Sequence, residues 1–200
     1  MKRIILRLVV IALLFTLGAA QTCAQAAPAA AGTKDEAVRN FDDASGKILR
    51  LAETIPAEKY AWRPGEGVRS FSEVFMHVAA GNFSIPRRLG AAVPEGVQLG
   101  PNFEKSATDK AKVIETLKQS IEHVKKAYAA VDDVEKTAPW LGGRQASMRE
   151  IMFFLDSHNH EHLGQLIAYT RMNGIVPPWT EEQQQQQRPP AKQPGKPPQQ

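Results

Sequence analysis

Apolar residues recur at helical spacing through the middle of this chain, and four separate stripes can be traced between residues 33 and 179. Residues 34–54 carry Val38, Phe41, Ile48, Leu49 and Ala52, and Pro56 stops the pattern. Residues 70–89 open on Ser70 and Glu73, a capping-box pair, and continue through Phe71, Val74, Phe75, Val78 and Ile85 in spite of Gly81 and Pro86. Residues 106–131 show the cleanest stripe, with Val113, Leu117, Ile121, Val124 and Tyr128 on one face, lysines and glutamates on the other, and Thr108 and Asp109 as cap candidates. Residues 147–172 start at a second capping-box pair, Ser147 and Glu150, and end before Gly174. No stretch alternates with period two between hairpin turns, so no sheet is expected. The predicted class is all-α, a four-helix bundle. Connectors 55–69, 90–105 and 132–146 are long for adjacent antiparallel helices, so at least one is expected to cross the bundle from end to end.

The chain has 200 residues and 42% hydrophobic content, enough for one domain with a core, but its two ends read differently from its middle. Lys2, Arg3 and Arg7 precede an apolar run from Leu8 to Leu17 and then small residues ending in Ala24, Gln25 and Ala26. That order is a secretory signal peptide over residues 1–26, with cleavage between Ala20 and Ala27. Its apolar run is shorter than the roughly 20 residues of a membrane span, so export to the periplasm or beyond is expected, without stable membrane association after cleavage. A retained N-terminal anchor is the alternative. Cys23 is the only cysteine and lies beside the cleavage region, so the mature domain needs no disulfide. Ala20, Gln21 and Thr22 fit poorly with a lipid-attachment signal at Cys23.

Residues 180–200 hold a glutamine run, and half of the fourteen prolines fall from Pro177 onward, the composition of a disordered tail. Of the net charge of +4, Lys2, Arg3 and Arg7 in the leader and Arg188, Lys192 and Lys196 in the tail supply more than the whole. The domain between them is near neutral, which removes the electrostatic case for a nucleic-acid partner.

Three of the five histidines fall within the run Asp156, Ser157, His158, Asn159, His160, Glu161, His162. On a helix His158 and His162 lie one turn apart on the same face as Ile151, Leu155, Gln165, Leu166 and Tyr169, so two imidazoles interrupt an apolar stripe. Polar rings in that position cost free energy unless hydrogen-bonded or metal-bound. His77, one turn from Glu73 and beside Val74 and Val78, is the candidate for a third ligand. Three neutral imidazoles in a bundle make a site with an open position, suited to zinc or another divalent ion, which can lower the pKa of a bound water or polarise a substrate. The alternative is that His158 and His162 are core or rim histidines hydrogen-bonded to backbone or water.

His160 lies roughly 200° around the helix from His158 and is expected in solvent. Glu161 is read as a surface acid and Glu73 as a capping acid. His123 is expected to be half-exposed, without a ligand role. Trp62, Trp140 and Trp179 are expected to pack at the bundle ends rather than to form a substrate cage.

Three segments carry a resemblance to the DinB-like superfamily, the damage-inducible four-helix proteins. They are Trp62, Arg63 and Pro64 followed by Ser70 to His77; His158 to Gln165; and Tyr169, Arg171, Gly174, Pro177 and Pro178. The resemblance spans about Lys34 to Trp179. It implies a bundle of up-down-down-up connectivity and a three-histidine metal centre formed by His77, His158 and His162. The cofactor it implies is a divalent metal ion, zinc or nickel foremost. Related members are thiol S-transferases that use bacillithiol or similar cofactors, and mycothiol-dependent isomerases.

The function expected is therefore that of an exported DinB-like divalent-metal-binding protein, a metal-dependent hydrolase or transferase acting on a small molecule of unspecified class. Export weakens the thiol-transfer reading, because low-molecular-weight thiols are kept reduced mainly in the cytosol. The alternative is a non-catalytic metal- or ligand-binding bundle. Apolar helix faces would permit a homodimer, though nothing in the sequence requires one.

Overall fold

The computed structural model describes residues 32–188. The expected signal peptide, Cys23 and residues 189–200 lie outside the described residues. Four long helices form the bundle: α1 (Thr33–Thr54), α2 (Phe71–Ser84), α3 (Lys110–Ala130) and α4 (Met148–Met172). A shorter α5 (Pro178–Gln186) follows. Among the described residues no helix is long and apolar enough to cross a membrane.

Local chemistry sets the helix starts. Ser70 caps α2 in a complete capping box, with Glu73 N–H donating to Ser70 Oγ (3.3 Å) and Ser70 N–H donating to Glu73 Oε2 (2.8 Å). The box expected at Ser147 is one-sided. Glu150 N–H donates to Ser147 Oγ, but the Glu150 carboxylate pairs with Arg144 instead of turning back to the cap. Asp109 caps α3 by accepting from Lys112 N–H at 2.9 Å. α2 is shorter than the stripe over 70–89 implied, because Pro86 has no N–H to give; residues Ile85–Leu89 tighten into a 3-10 turn that Gly90 closes at φ 90°.

Hydrogen bonds between helix ends fix the direction of each helix. Lys34, at the start of α1, donates to the Ala129 and Val131 carbonyls at the end of α3 (2.8 and 2.7 Å). Lys110, at the start of α3, donates to the Glu53 and Ile55 carbonyls at the end of α1 (2.7 and 2.8 Å), so these helices are antiparallel. α2 starts at that same end, where Ser72 N–H donates to the Tyr60 carbonyl. α4 starts beside the end of α3, where Tyr128 Oη lies 2.9 Å from the Met152 carbonyl, and ends beside the start of α2, where the Tyr169 and Phe71 rings meet at 5.6 Å. The connectivity is up-down-down-up, with α3 and α4 each packed against both α1 and α2. The connector between α2 and α3 therefore crosses the length of the bundle.

Two apolar clusters fill the interior, one around Leu51, Phe71, Phe75, Leu117 and Leu166, the other around Phe41, Tyr128, Ile151 and Leu155. A chain of buried polar side chains ties α2, α3 and α4 together. Asn159 Nδ2 donates to Asn82 Oδ1 (3.0 Å), Asn82 Nδ2 donates to Ser120 Oγ (3.2 Å), and Tyr128 Oη lies 2.9 Å from Asp156 Oδ1.

Two features correct the sequence reading. A two-stranded antiparallel ribbon, β1 (Thr137–Pro139) with β2 (Gln145–Ser147), precedes α4 where no sheet was expected. Three-residue strands are too short to show an alternation, and Gly142 and Gly143, at φ 70° and 78°, supply the turn. Residues 180–186, expected to be irregular, continue α5 instead. Pro178 sits at its first turn, Trp179 lies against the Arg50 guanidinium at 5.9 Å, and Glu182 pairs with Arg50.

Candidate metal centre

α2 and α4 run antiparallel and face each other, and this brings His77 of α2 to His158 and His162 of α4. The three ring centroids lie 4.6 to 5.0 Å apart, and one nitrogen from each ring lies within 4.8 Å of the others. His162 is buried, and His77 and His158 are partly covered.

The partners of the outer nitrogens determine what each ring presents inward. Arg69 grips Glu104 with two bonds, Nε to Oε2 at 2.6 Å and Nη2 to Oε1 at 3.1 Å. Glu104 Oε1 also accepts from His77 Nδ1–H at 2.6 Å. Burial would raise the Glu104 carboxyl, but the Arg69 and His77 hydrogen bonds outweigh it and hold the group below its ordinary value. Gln165 Nε2 donates to Tyr169 Oη (2.9 Å), which leaves Gln165 Oε1 to accept from His162 Nδ1–H at 2.9 Å. His77 and His162 are thus fixed in the tautomer whose Nε2 lone pair points to the shared centre.

His158 Nε2 lies 3.1 Å from His77 Nε2 and completes the group. Its Nδ1 is buried without a hydrogen-bond partner. Packing holds this ring instead: a Cβ on Gly81 would lie 2.6 Å from His158 Cε1 and 3.0 Å from Nδ1, so only glycine lets the imidazole rest on α2.

Burial pushes His158 down to about 4, with the nearby His162, His77 and Arg69 charges adding to it. Burial likewise lowers His162. Both rings are neutral at physiological pH, the form that ligates metal. Tetrahedral nitrogen ligation at about 2.0–2.1 Å places donor atoms about 3.3 Å apart, close to the observed separation of 3.1 Å. The donor set, the neutrality of His158 and His162, and the separation of the His77–His158 pair fit a divalent cation.

Most other candidates fall where the sequence placed them. His160 and Glu161 are exposed, and Glu73 caps α2 while pairing with Arg63 at 3.1 Å. Trp62 packs on Phe71 and Tyr169, and Trp140 packs on Phe154. His123 differs from expectation: it is buried, its ring lies 5.9 Å from Phe83, and its Nε2 has no partner. Desolvation, followed by the Lys126 charge, keeps it neutral. Sequence reasoning assigned no role to Arg69, Gly81, Glu104 or Gln165, and only Gln165, three residues after His162, lay within reach of a periodicity argument.

An up-down-down-up bundle with three histidines gathered between its second and fourth helices is the class that fold and site define. The DinB superfamily profile matches residues 40–166, and the chain belongs to that superfamily. None of the curated proteins matches it. Among solved structures, a DinB-like protein from Bacillus cereus is similar at 13% identity and a TM-score of 0.61, covering 72% of this chain and 95% of its own. A DinB-like protein from Bacillus subtilis is similar at 19% identity and a TM-score of 0.56, covering 70% and 93%. A mycothiol-dependent maleylpyruvate isomerase aligns at 12% identity and a TM-score of 0.54, covering 66% of this chain and 60% of its own.

Proposed function

We propose that this protein holds a divalent metal ion, zinc or nickel foremost, through His77, His158 and His162, and acts as a metal-dependent hydrolase or transferase on a small molecule. The observation that carries this reading is the convergence of three imidazoles, two of them locked with Nε2 inward by Glu104 and Gln165. When bound, such an ion supplies Lewis acidity and lowers the pKa of a coordinated water or thiol. The chain's own contribution is orientation: Arg69 holds Glu104, Glu104 holds His77, and Gly81 seats His158. The mycothiol-dependent isomerase among the similar folds supports thiol transfer as one reaction to test. The leader-like pattern of residues 1–26 supports export to the periplasm or beyond, which favours hydrolysis over thiol transfer.

A second reading, a non-catalytic metal- or ligand-binding bundle, draws on the acids near the cluster. Glu104 is engaged by Arg69 and His77 and so is not a free general base, and Glu161 is exposed to solvent.

Elemental analysis of the purified protein, beside a His158→Ala, His162→Ala double variant, tests the metal. Near-stoichiometric zinc or nickel that the variant loses is the expected result. The absence of metal from the wild type, even after reconstitution, would overturn the reading.

A further inference from the structure

The facing stripes of α2 and α4 continue past the three histidines. Ile85 lies one turn beyond Gly81, and Phe154 lies one turn before His158, so each continues the face that carries the cluster. Both residues line a cavity of about 480 Å³. Arg87 and Arg88, from the 3-10 turn after α2, and Trp140 and Leu141, from the loop between β1 and β2, complete its walls.

The lining has two characters. Trp140 and Phe154 meet edge to face at 5.1 Å, and Leu141 and Phe154 remain 62% and 41% exposed, an apolar wall turned outward. Arg87 and Arg88 are exposed and, like Arg39, Arg171 and Arg188, take part in none of the ion pairs of the described residues, whereas Arg50, Arg63, Arg69, Arg144 and Arg149 each have a carboxylate partner. Two adjacent guanidiniums without acids beside an apolar wall complement a molecule with an apolar body and an anionic end.

We infer that this cavity is a binding site for a small organic anion, a carboxylate on an aromatic or aliphatic body, with the carboxylate on Arg87 and Arg88 and the body against Phe154 and Leu141. Ile85 and Phe154, one helical turn from Gly81 and His158, put it next to the histidine cluster, where the far end of a molecule acted on there would be held, and that extension alone rests on the proposed metal function.

Calorimetric titration with 2-naphthoate, and with 2-naphthylmethylamine as a related ring of opposite charge, tests the site. Saturable 1:1 binding of naphthoate is expected, weakened at least tenfold in Arg87→Gln, Arg88→Gln and in Phe154→Ala, with the amine at least tenfold weaker than naphthoate. Naphthoate binding is expected to persist in His158→Ala, His162→Ala, which separates this site from the metal. Equal affinity for both probes, no loss in the arginine variant, or no binding at millimolar probe would overturn the inference. Loss in the histidine variant would also overturn it, by placing the anion on the histidine cluster. Arg87, Arg88 and Phe154 are exposed, and retained circular dichroism in every variant excludes unfolding as the cause.

Discussion

His158 and His162 turn their ring nitrogens toward His77, whereas Asp156 and Asn159, interleaved with them on α4, turn toward Tyr128 and Asn82. The second group bonds mostly within itself: amides, hydroxyls and a carboxyl pair across three helices, leaving Asp156 Oδ2 and Asn159 Oδ1 without partners, and each bond fixes how one helix stands against another. In the first group Glu104 and Gln165 close the outer side of His77 and His162 and point their Nε2 lone pairs inward, where His158 Nε2 lies 3.1 Å from His77 Nε2. Buried polar groups that satisfy one another specify the fold. Imidazoles gathered on one point, with their outer nitrogens held elsewhere, are what the proposed metal site requires.

The largest expected effect tests whether the second group is structural. Burial pushes Asp156 up to about 7, the Tyr128 hydrogen bond only partly opposing it, and its Oδ2 has no partner. Below the unfolded value near 4 the carboxyl is protonated in both states and costs nothing. As pH rises toward 7 the unfolded chain releases the proton and the folded chain keeps it, so stability falls, by on the order of 4 kcal/mol at most across the window. Asp156→Asn removes that titration. Its stability relative to wild type, from urea midpoints, should rise from pH 4 and level off above pH 7, by a few kcal/mol in all. A difference that does not change with pH would show that Asp156 is no buried acid, and would break the contrast between the two groups.

The sequence disclosed the side of this contrast that follows a period. His158, His162 and His77 sit on apolar stripes at helical spacing, so their convergence could be read once a bundle was inferred, and the capping box at Ser70 marked the start of α2. Glu104 was not legible, because it lies in a connector 27 residues from His77 and no spacing rule joins a loop acid to a helix histidine. Gly81 read as a helix weakness, since a missing side chain shows its use only when the opposing ring is in place. His123 read as half-exposed because its burial depends on the loop after α2 folding over α3. The β1–β2 ribbon has too few residues for a pattern.

Gly81 sharpens the first group. In a helix alanine is favoured over glycine by about 1 kcal/mol, so Gly81→Ala should hold or raise the melting temperature of the metal-free protein. The added methyl nevertheless meets the His158 ring, at 2.6 Å from Cε1 in the present geometry, and the imidazole must swing away. Metal affinity, read by chelator competition, should fall at least a hundredfold, or about 2.7 kcal/mol. Opposite signs in the two measurements would separate ligand placement from helix stability. Unchanged affinity would show that His158 is not held in place by α2.

Glu104→Gln is the mildest perturbation, and it acts through another residue. Gln Oε1 can still accept from His77 Nδ1–H, so the ring keeps its tautomer, but the negative charge and at least one of the Arg69 bonds are lost. A neutral acceptor makes the imidazole a weaker base and frees Arg69 beside the cluster, where its charge opposes a cation. Changes to such supporting partners weaken metal binding by about 10- to 100-fold, and retained geometry places this variant near the lower end, about tenfold or 1.4 kcal/mol. Glu104→Ala, which also removes the acceptor, should cost more than Glu104→Gln by the same chelator assay. Equal losses would mean that the charge alone matters; no loss in either would leave His77 oriented by helix packing, as His158 is.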